Sequence, residues 1–555
     1  MSDLEVNYCD AVFTTDVRSA MNWLTRRQIT KALLWSSGAL VSSSVAGPVR
    51  AADEGKHGGT LNVVIQPEPP ILVSLTHTAG PTTRVSGKVT EGLVTFDLDF
   101  NPRPQLATSW QKSEDGLSYR FELRRGVKWH DGRDFTSADV AHSIELLKQH
   151  HPRGRGTLAS VREVRTPDPH VAEIVLDKPA PYLLAALTAS ESPIVPRHIY
   201  EGTDPLANPN GRAPIGTGPF VFKEWKQGSH IVLERNPNYW DPGKPYLDRI
   251  VIRFIADANA RAVALETGEI HYAPDTPVPL GQIETLKANP NLLIETHGYD
   301  YQPIVYRLEF NLANPYFAKP EVRRAVAHAV DRDAINRIVF YGWTQSAPAA
   351  ISPALKQFHN PGIPRYEFAP KKAEALLDAA GLPRGPDGTR FKVFHDYMPY
   401  GETYQQLGAY TRQALSTIGI GVTLRAQDVP TWFKRTYTNR DFDFMSNGMS
   451  HSFDPTVGVQ RLYWSKNFKP GVPFSNGSGY SNPEVDRLLE AAAVESDPAK
   501  RRELFYAFQV IVATDLPDIN LVTGPNLTIV NRKVRDHTTT IDGPSANFAD
   551  VWLQS

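Results

Sequence analysis

The chain has 555 residues, of which 41% are hydrophobic and 21% charged, the composition of an ordinary globular protein with room for two to four domains. Its 59 basic residues nearly balance its 60 acidic ones, so net charge favours neither nucleic acid nor an anionic membrane as a partner. A single cysteine, Cys9, excludes an internal disulfide framework and a metal site built on several cysteines.

The N-terminal region has the features of an export signal. Residues 25–31, TRRQITK, resemble the twin-arginine motif, although an amphipathic helix with two arginines is the alternative. The apolar stretch that follows is too short for a membrane span, and the small-x-small triplet at residues 49–51 suits signal peptidase. We therefore expect residues 1–51 to be a leader, with 1–20 a spurious extension before Met21. The mature protein would be periplasmic and, lacking a cysteine at the cleavage site, not lipid-anchored.

Strand and helix patterns alternate along the mature chain. Residues 58–69 predict a buried strand closed by prolines, and residues 119–132 an alternating strand that ends in a turn. The next segment predicts a helix, because Thr136 and Asp139 have the spacing of a capping box. After about residue 306 helical patterns predominate between short strands. This alternation of short strands with helices predicts α/β lobes.

Motifs that carry catalysis are absent from the sequence. It contains no G-x-S-x-G, H-E-x-x-H or G-x-x-x-x-G-K-[ST], and the glycines of residues 215–220, IGTGPF, lack the third glycine of a dinucleotide fingerprint. The histidines are scattered, without the i, i+4 spacing of a metal-binding helix. We therefore expect no enzyme activity, no cofactor and no nucleic-acid partner.

One acidic residue in the C-terminal third stands at the end of a predicted strand. Residues 441–458, DFDFMSNGMSHSFDPTVG, begin with an alternating apolar run and continue with small polar residues to Asp454, between Phe453 and Pro455. An aspartate before proline is a common turn former, so the carboxylate either caps a turn or faces a ligand.

The segment at residues 104–140 is similar to the signature of the extracellular solute-binding proteins of the peptide/opine/nickel class, which serve ABC importers. Blocks at residues 216–225, 233–240 and 317–335 resemble later parts of the family pattern, in the same order. The matching positions of the first segment include Ala107, Ser109, Trp110, Asp115, Gly116, Tyr119, Phe121, Gly126, Val127, Lys128, His130, Asp131, Gly132, Phe135, Thr136, Asp139 and Val140.

The resemblance implies a two-lobed α/β clamp, a class II-like periplasmic-binding-protein fold of the Venus-flytrap type, with an extra inserted domain. The core of the first lobe would comprise residues 52–85, 215–305 and 518–555, with the inserted domain at 86–214, and the second lobe would span 306–517. The protein would be a monomer that captures a small solute between its lobes and delivers it to the permease subunits of an ABC importer. The solute would be an oligopeptide, an opine or a related amino-acid conjugate.

The same resemblance suggests a ligand contact for the isolated aspartate. In peptide-binding members, an acid in an x-D-P segment pairs with the peptide ammonium, which places Asp454 in that role, and we favour it over the turn cap. Dipeptide-type relatives also carry an arginine for the ligand carboxylate in the loop corresponding to residues 396–406. This chain has none there and carries Tyr400, Glu402 and Tyr404 instead.

Further ligand contacts are expected on both lobes, although each aromatic alone is more often a core residue. These candidates are Tyr306, Arg307, Trp432, His451, Trp464, His77 and Thr78. Arg307 could bind a carboxylate or simply be a solvated strand residue. His451 and His77 leave open a nickel or metal-chelate ligand, and the aromatic residues leave open an oligosaccharide.

Overall fold

The computed structural model describes residues 57–524 and 526–554. The predicted leader, residues 1–51, lies outside the described residues. Within the described ranges, no helix combines the length and the apolar character that crossing a membrane requires.

The strands are mostly short and fall into three main sheets and two small ladders. In chain order they are β1 Thr60–Val64, β2 Val94–Phe96, β3 Pro102–Pro104, β4 Ala107–Lys112, β5 Ser118–Leu123, β6 Val161–Asp168, β7 Val171–Leu176, β8 Phe220–Lys226, β9 His230–Arg235, β10 Arg249–Arg253, β11 Tyr272–Ala273, β12 Leu292–Glu295, β13 Ile304–Phe310, β14 Gln345–Ser346, β15 Phe391–Tyr397, β16 Ile420–Leu424, β17 Phe444–Ser450, β18 Asp518–Gly524, β19 Thr528–Asn531, β20 Val534–Arg535 and β21 Trp552–Leu553.

The longer helices lie mainly in the C-terminal half. In chain order the helices are α1 Gly80–Val89, α2 Ser137–His150, α3 Gly154–Thr157, α4 Arg197–Tyr200, α5 Ala258–Glu266, α6 Leu280–Lys287, α7 Pro320–Ala329, α8 Arg332–Ile338, α9 Pro370–Ala379, α10 Glu402–Thr417, α11 Val429–Phe433, α12 Pro455–Gly458, α13 Gln460–Tyr463, α14 Pro483–Val494 and α15 Pro498–Asp515. Proline begins α7, α9, α14 and α15, where its missing N–H would have no helical partner.

A seven-stranded mixed sheet has the order β12-β19-β11-β1-β10-β9-β8, and β1 runs parallel to its neighbours β10 and β11. Leu61, Val63 and Ile65 pack in the hydrophobic cluster on one face, and Val64 packs in the cluster on the other. The alternation follows from the two-residue period of a strand. Burial on both faces explains the nearly continuous apolar run that predicted β1.

A four-stranded antiparallel sheet, β4-β5-β7-β6, forms a separate layer covered by α2. Tyr119, Phe121 and Leu123 alternate inward along β5, as the sequence predicts. The capping box of α2 is confirmed, because Asp139 accepts a hydrogen bond from the backbone N–H of Thr136 at 2.8 Å.

A six-stranded sheet, β14-β18-β13-β17-β15-β16, carries the C-terminal half of the chain. Helices cover both faces, so Leu308 of β13 packs in one cluster while Met445 and Met449 of β17 pack in the other. One expected boundary differs: strand β18 pairs with β13 in this sheet, whereas the sequence placed residues 518–555 entirely in the first lobe. A residue pattern that predicts a strand does not show which sheet the strand joins.

Two segments connect the seven-stranded sheet to the six-stranded one. The first runs from β12 to β13 and the second from β18 to β19. We call the part built on the seven- and four-stranded sheets the first lobe and the part built on the six-stranded sheet the second lobe. Residues from both connections, including Tyr299, Gln302 and Asn526, line a cavity of about 140 Å³ between these sheets.

Candidate functional site

The two lobes meet through the loop that follows β17. The ring of Phe453, from the second lobe, stacks on Tyr301 with centroids 4.8 Å apart and planes inclined by 22°. Both rings are buried in the hydrophobic core of the four-stranded sheet. The hydroxyl of Tyr301 donates to the carbonyl of Ala185 at 2.9 Å and accepts from Thr188 at 3.0 Å. The structure therefore shows the lobes in contact, and the candidate site lies around this loop.

Asp454 follows Phe453 and is 4% exposed. Its two carboxylate oxygens accept hydrogen bonds from Arg501 of α15 at 2.7 and 2.8 Å, and the backbone N–H of Thr456 donates to it at 2.9 Å, which caps α12. A buried carboxylate needs a cationic partner, and this one already has it within the chain. The geometry therefore favours the turn cap over the ammonium-binding role that the resemblance implied for Asp454.

Arg307 is 1% exposed on β13, so the solvated alternative was wrong. Its guanidinium donates to Glu309 at 2.7 Å, to Asp518 of β18 and to Asn447 of β17 at 3.0 Å. The two carboxylates outweigh the cost of burial and raise the pKa of Arg307. With its donors engaged in this buried network, Arg307 fixes three strands together and is not placed to receive a ligand carboxylate.

Three of the predicted tyrosines lie close together on the second lobe. The rings of Tyr306 and Tyr404 are 5.6 Å apart, and Tyr306 also packs on Phe340 at 4.6 Å. Tyr404 is 8% exposed, whereas Tyr400 is 50% exposed. Exposed Glu402 in the first turn of α10 accepts a hydrogen bond from Gln406 at 2.8 Å. Tyr400 and Glu402 thus remain accessible, whereas Tyr306 and Tyr404 pack against each other.

The two predicted tryptophans already have partners within the second lobe. Trp432 is fully buried and its Nε1 donates to the carbonyl of Asp396 at 3.3 Å, so its assignment as a ligand contact is corrected to a core residue. Trp464 donates from Nε1 to Glu490 at 2.9 Å, and the ammonium of Lys466 lies 5.4 Å from its ring centroid.

His77 and Thr78 precede α1 on the first lobe and are both partly exposed. The Nδ1 atom of His77 accepts a hydrogen bond from the backbone of Ala79 at 3.2 Å, and burial lowers the pKa of its imidazole. The neutral ring leaves Nε2 as the protonated nitrogen. These two residues form a partly exposed polar turn on the first lobe.

His451 is buried beneath the loop that joins the lobes. Its backbone N–H donates to the carbonyl of Pro303 at 2.8 Å, and its Nδ1 accepts from the backbone N–H of Ser352 at 3.0 Å. Nε2 is buried and has no partner within the described chain. Desolvation, assisted by the charges of Arg307 and Arg461, lowers the pKa of His451 to about 3. The ring is neutral, and hydrogen bonding at Nδ1 leaves the proton on Nε2 as an unused donor.

The sequence segment from 101 to 471 matches the family model of the bacterial extracellular solute-binding proteins, family 5. The chain belongs to this family. The resemblance stated from the sequence is confirmed, and so is the two-lobed α/β fold, which the solved structures of relatives share. As a family 5 protein, the chain is the solute-binding component of an ABC importer.

Named relatives of this family 5 chain match it along most of its length. The glutathione-binding protein GsiB of Escherichia coli is 27% identical over 462 residues, covering 82% of this chain and 85% of that protein. DppA from Helicobacter pylori, an ABC transporter-associated periplasmic binding protein in complex with the peptide STSA, superposes with a TM-score of 0.76 at 27% identity and covers 91% of this chain and 100% of its own. The PBP AgaA from A. tumefaciens R10, in complex with agropinic acid, superposes with a TM-score of 0.75 at 26% identity. The match covers 90% of this chain and 99% of AgaA.

Sequence reasoning missed the arginine that pairs with Asp454. Arg501 shares the buried face of α15 with Phe505, Phe508 and Val512, at helical spacing. A cation on an apolar stripe signals a buried ion pair, so this position was a usable clue, although the sequence does not name the partner. Metal binding has no comparable clue, because the described residues contain no group of three or more His, Cys, Asp or Glu side chains able to hold an ion.

Proposed function

We propose that this family 5 protein captures a short peptide, an opine or a related amino-acid conjugate and delivers it to the membrane subunits of its importer. The observation that carries the proposal is the ligand chemistry of three relatives that match most of the chain. GsiB is named for glutathione, DppA holds the peptide STSA and AgaA holds agropinic acid. All three ligands are built from amino acids or their conjugates. No reaction on the solute is required.

Closure of the lobes around the solute is the mechanism that this fold supports. A ligand that touches both lobes binds the closed state more tightly than the open one and therefore shifts the population toward closure. The Phe453–Tyr301 stack would form only when the lobes meet, so part of the closing free energy would come from the protein itself. The permease would then recognise the closed shape.

The proposed solute contacts come from both lobes. His77 and Thr78 would contribute from the first lobe, and Tyr400, Glu402 and His451 from the second. Tyr306 and Tyr404 would hold the wall on which Tyr400 stands, since their rings pack against each other. Trp464 would border the site with its ring edge while its Nε1 remains bonded to Glu490.

We also propose the route and form in which the protein reaches its site of action. The TRRQITK motif at residues 25–31 supports twin-arginine export to the periplasm, with translation from Met21 and no lipid anchor. The mature protein would act as a monomer. Residues 86–214 would form a domain inserted into the first lobe, as the sequence predicts. The second lobe would begin near residue 306 and include β18.

A ligand panel tests the proposal. Thermal unfolding of the purified protein would be measured with glutathione, the peptide STSA, agropinic acid, nickel chloride and maltotetraose, and every hit would be titrated by calorimetry. A ligand at 100 times its Kd stabilises the native state by about 2.7 kcal/mol, which is readily detected. We expect one of the first three compounds to bind one-to-one and unchanged. Stabilisation by nickel or the sugar alone, or chemical conversion of a bound compound, would overturn the proposal.

A further inference from the structure

Arg461 of α13 is a partly buried cation with an unusual set of partners. Its Nη2 donates to the carbonyl of Ser450 at 3.0 Å and its Nη1 donates to the carbonyl of Phe474. Its Nε is buried and has no acceptor within the described ranges. No other arginine or lysine nitrogen in those ranges is both fully buried and without any acceptor. The guanidinium is thus held in place while its Nε donor remains unused.

The charge of Arg461 also lacks a counter-ion. Within the described chain no carboxylate lies within 4 Å of it, whereas Arg307, Arg501 and Arg153 each have one. A buried charge is costly unless it is paired, and an uncompensated one destabilises the fold. An arginine that is oriented by two carbonyls and left without an anion is suited to receive one.

The neighbouring charges increase the need for an anion. Burial first, and then the positive charges of Arg153 and Arg307, lower the pKa of Arg461 to about 10, with Glu309 and Tyr437 acting in the opposite direction. Arg461 therefore remains protonated at neutral pH. The carboxylate of Glu309 is already bonded to Arg307 and Asn447, so it is not free to pair with Arg461.

A second unused donor belongs to the residue that follows Ser450, one of the two residues whose carbonyls orient Arg461. The carbonyl that orients Arg461 belongs to Ser450, and the next residue is His451, whose Nε2–H is buried without an acceptor among the described residues. The two groups are close enough for the charge of Arg461 to act on the imidazole. Together, Arg461 and His451 provide one charged and one neutral N–H donor for an acceptor atom.

The first lobe contributes a cation to the same region. Nε and Nη2 of Arg153 donate to Glu191, while Nη1 donates to no atom of the described chain. The charge of Arg153 acts both on Arg461 and on Tyr301, the residue on which Phe453 stacks. The charges of Arg153 and Arg461, which come from opposite lobes, therefore act on each other while Phe453 packs on Tyr301.

We propose that Arg461 and His451 of the second lobe, together with Arg153 of the first, bind a carboxylate of the captured solute. A carboxylate supplies two acceptor oxygens and the missing negative charge, and by bridging the lobes it would stabilise the closed state. This inference rests on the proposed function. It narrows the class of expected solutes to those that carry a carboxylate together with other hydrogen-bonding groups. It also places carboxylate recognition outside the loop at residues 396–406, which has no arginine.

The experiment compares each panel compound that carries a carboxylate with its carboxamide, for example STSA with STSA-amide. The proteins compared are wild type, Arg461→Gln, Arg461→Lys and the exposed control Arg412→Gln. We expect wild type and the control to prefer the free acid about tenfold or more, the glutamine variant to lose that preference and lysine to restore part of it. Equal binding of acid and amide by wild type, or a preference retained by Arg461→Gln, would overturn the inference.

A ligand-free measurement separates failure of this inference from failure of the proposed function. Removing a partly buried charge that has no counter-ion should leave the unfolding midpoint of Arg461→Gln equal to or above that of wild type. If no panel compound binds but this result is obtained, the ligand class is wrong and the anion site stands. A clear loss of ligand-free stability would instead mean that Arg461 serves the fold, and the inference would fall.

Discussion

At the scale of single residues, two buried arginines that hold the second lobe together find their carboxylate partners within the chain. Asp454 with Arg501, and Arg307 with Glu309 and Asp518, are complete ion pairs with good geometry. Arg461 is the contrasting case, because its orientation is fixed while its charge has no partner among the described residues. The distinction between these two kinds of arginine separates the structural groups from the group proposed to bind the solute.

Replacing Asp454 tests its structural assignment. Asp454→Ala should lower the free energy of unfolding by about 3–5 kcal/mol, because it leaves the guanidinium of Arg501 buried without its partner. Chemical denaturation measures the effect, and the double variant with Arg501→Leu should recover part of the loss. A variant of unchanged stability with abolished solute binding would return Asp454 to the ligand role.

His395 gives a prediction on pH. Its ring stacks on Phe444 at 4.4 Å, both ring nitrogens are buried without partners in the described chain, and burial lowers its pKa from 6.5 to about 3. Between these two values the unfolded chain binds a proton that the folded protein does not, so stability falls as the pH falls. One such site contributes a slope of about 1.4 kcal/mol per pH unit.

The variant His395→Phe should remove that contribution. Measured by denaturation at a series of pH values, its stability should decline less steeply than that of wild type from about pH 6.5 downward. At pH 8, where His395 is neutral in both states, the comparison gives the cost or gain of the substitution itself. Parallel curves for the two proteins would contradict the assignment.

At the scale of elements, local signals were sufficient wherever the structure depends on neighbours in sequence. The alternation in β5 and the capping box of α2 follow from contacts within a few residues, and both were predicted. The partner of Asp454 lies 47 residues away, and β18 pairs with β13 across the whole second lobe. Such long-range pairings depend on how the elements pack, which a single sequence does not specify.

Helix α1 illustrates a long-range contact that depends on a missing side chain. Gly87 lies against the C-terminal segment, where a Cβ would stand 1.8 Å from the carbonyl oxygen of Ser545. The nearby Lys88 donates to the carbonyls of Pro544 and Ala546, which fixes the same approach. The helix and the C-terminal segment therefore dock backbone to backbone.

Alanine substitutions on α1 test this docking. Gly87→Ala should destabilise the protein by at least about 1–3 kcal/mol, since the backbone must shift to accept the methyl group. Gly80→Ala on the same helix is the matched control, because nothing lies within 4 Å of its Cβ position, and it should be neutral or slightly stabilising. Equal unfolding midpoints for the two variants would show that the segment moves freely.

At the scale of the whole molecule, the lobes are linked by two strand connections and meet again at Phe453. The ring of Phe453 belongs to the second lobe by sequence and to the core of the first lobe by burial. A side chain shared in this way couples the position of one lobe to the packing of the other. The family assignment explains the arrangement, because a solute-binding protein must open to load and close to deliver.

Phe453→Ala should therefore weaken closure. We expect its solute affinity to fall about tenfold or more, since about 3–5 kcal/mol of buried contact is lost mainly from the closed state. Small-angle scattering should show a larger radius of gyration than wild type at subsaturating ligand. The matched control is Phe368→Ala, whose ring is 53% exposed. A compact Phe453→Ala protein with unchanged affinity would show that the contact is incidental.

The most direct test of the central claim is the native mass spectrum of the protein purified gently from periplasmic extract. We expect an adduct that dissociates on denaturation and has the mass and fragmentation pattern of a peptide or an amino-acid conjugate bearing a carboxylate. An adduct with the mass of a metal ion or of linked hexoses would contradict that claim.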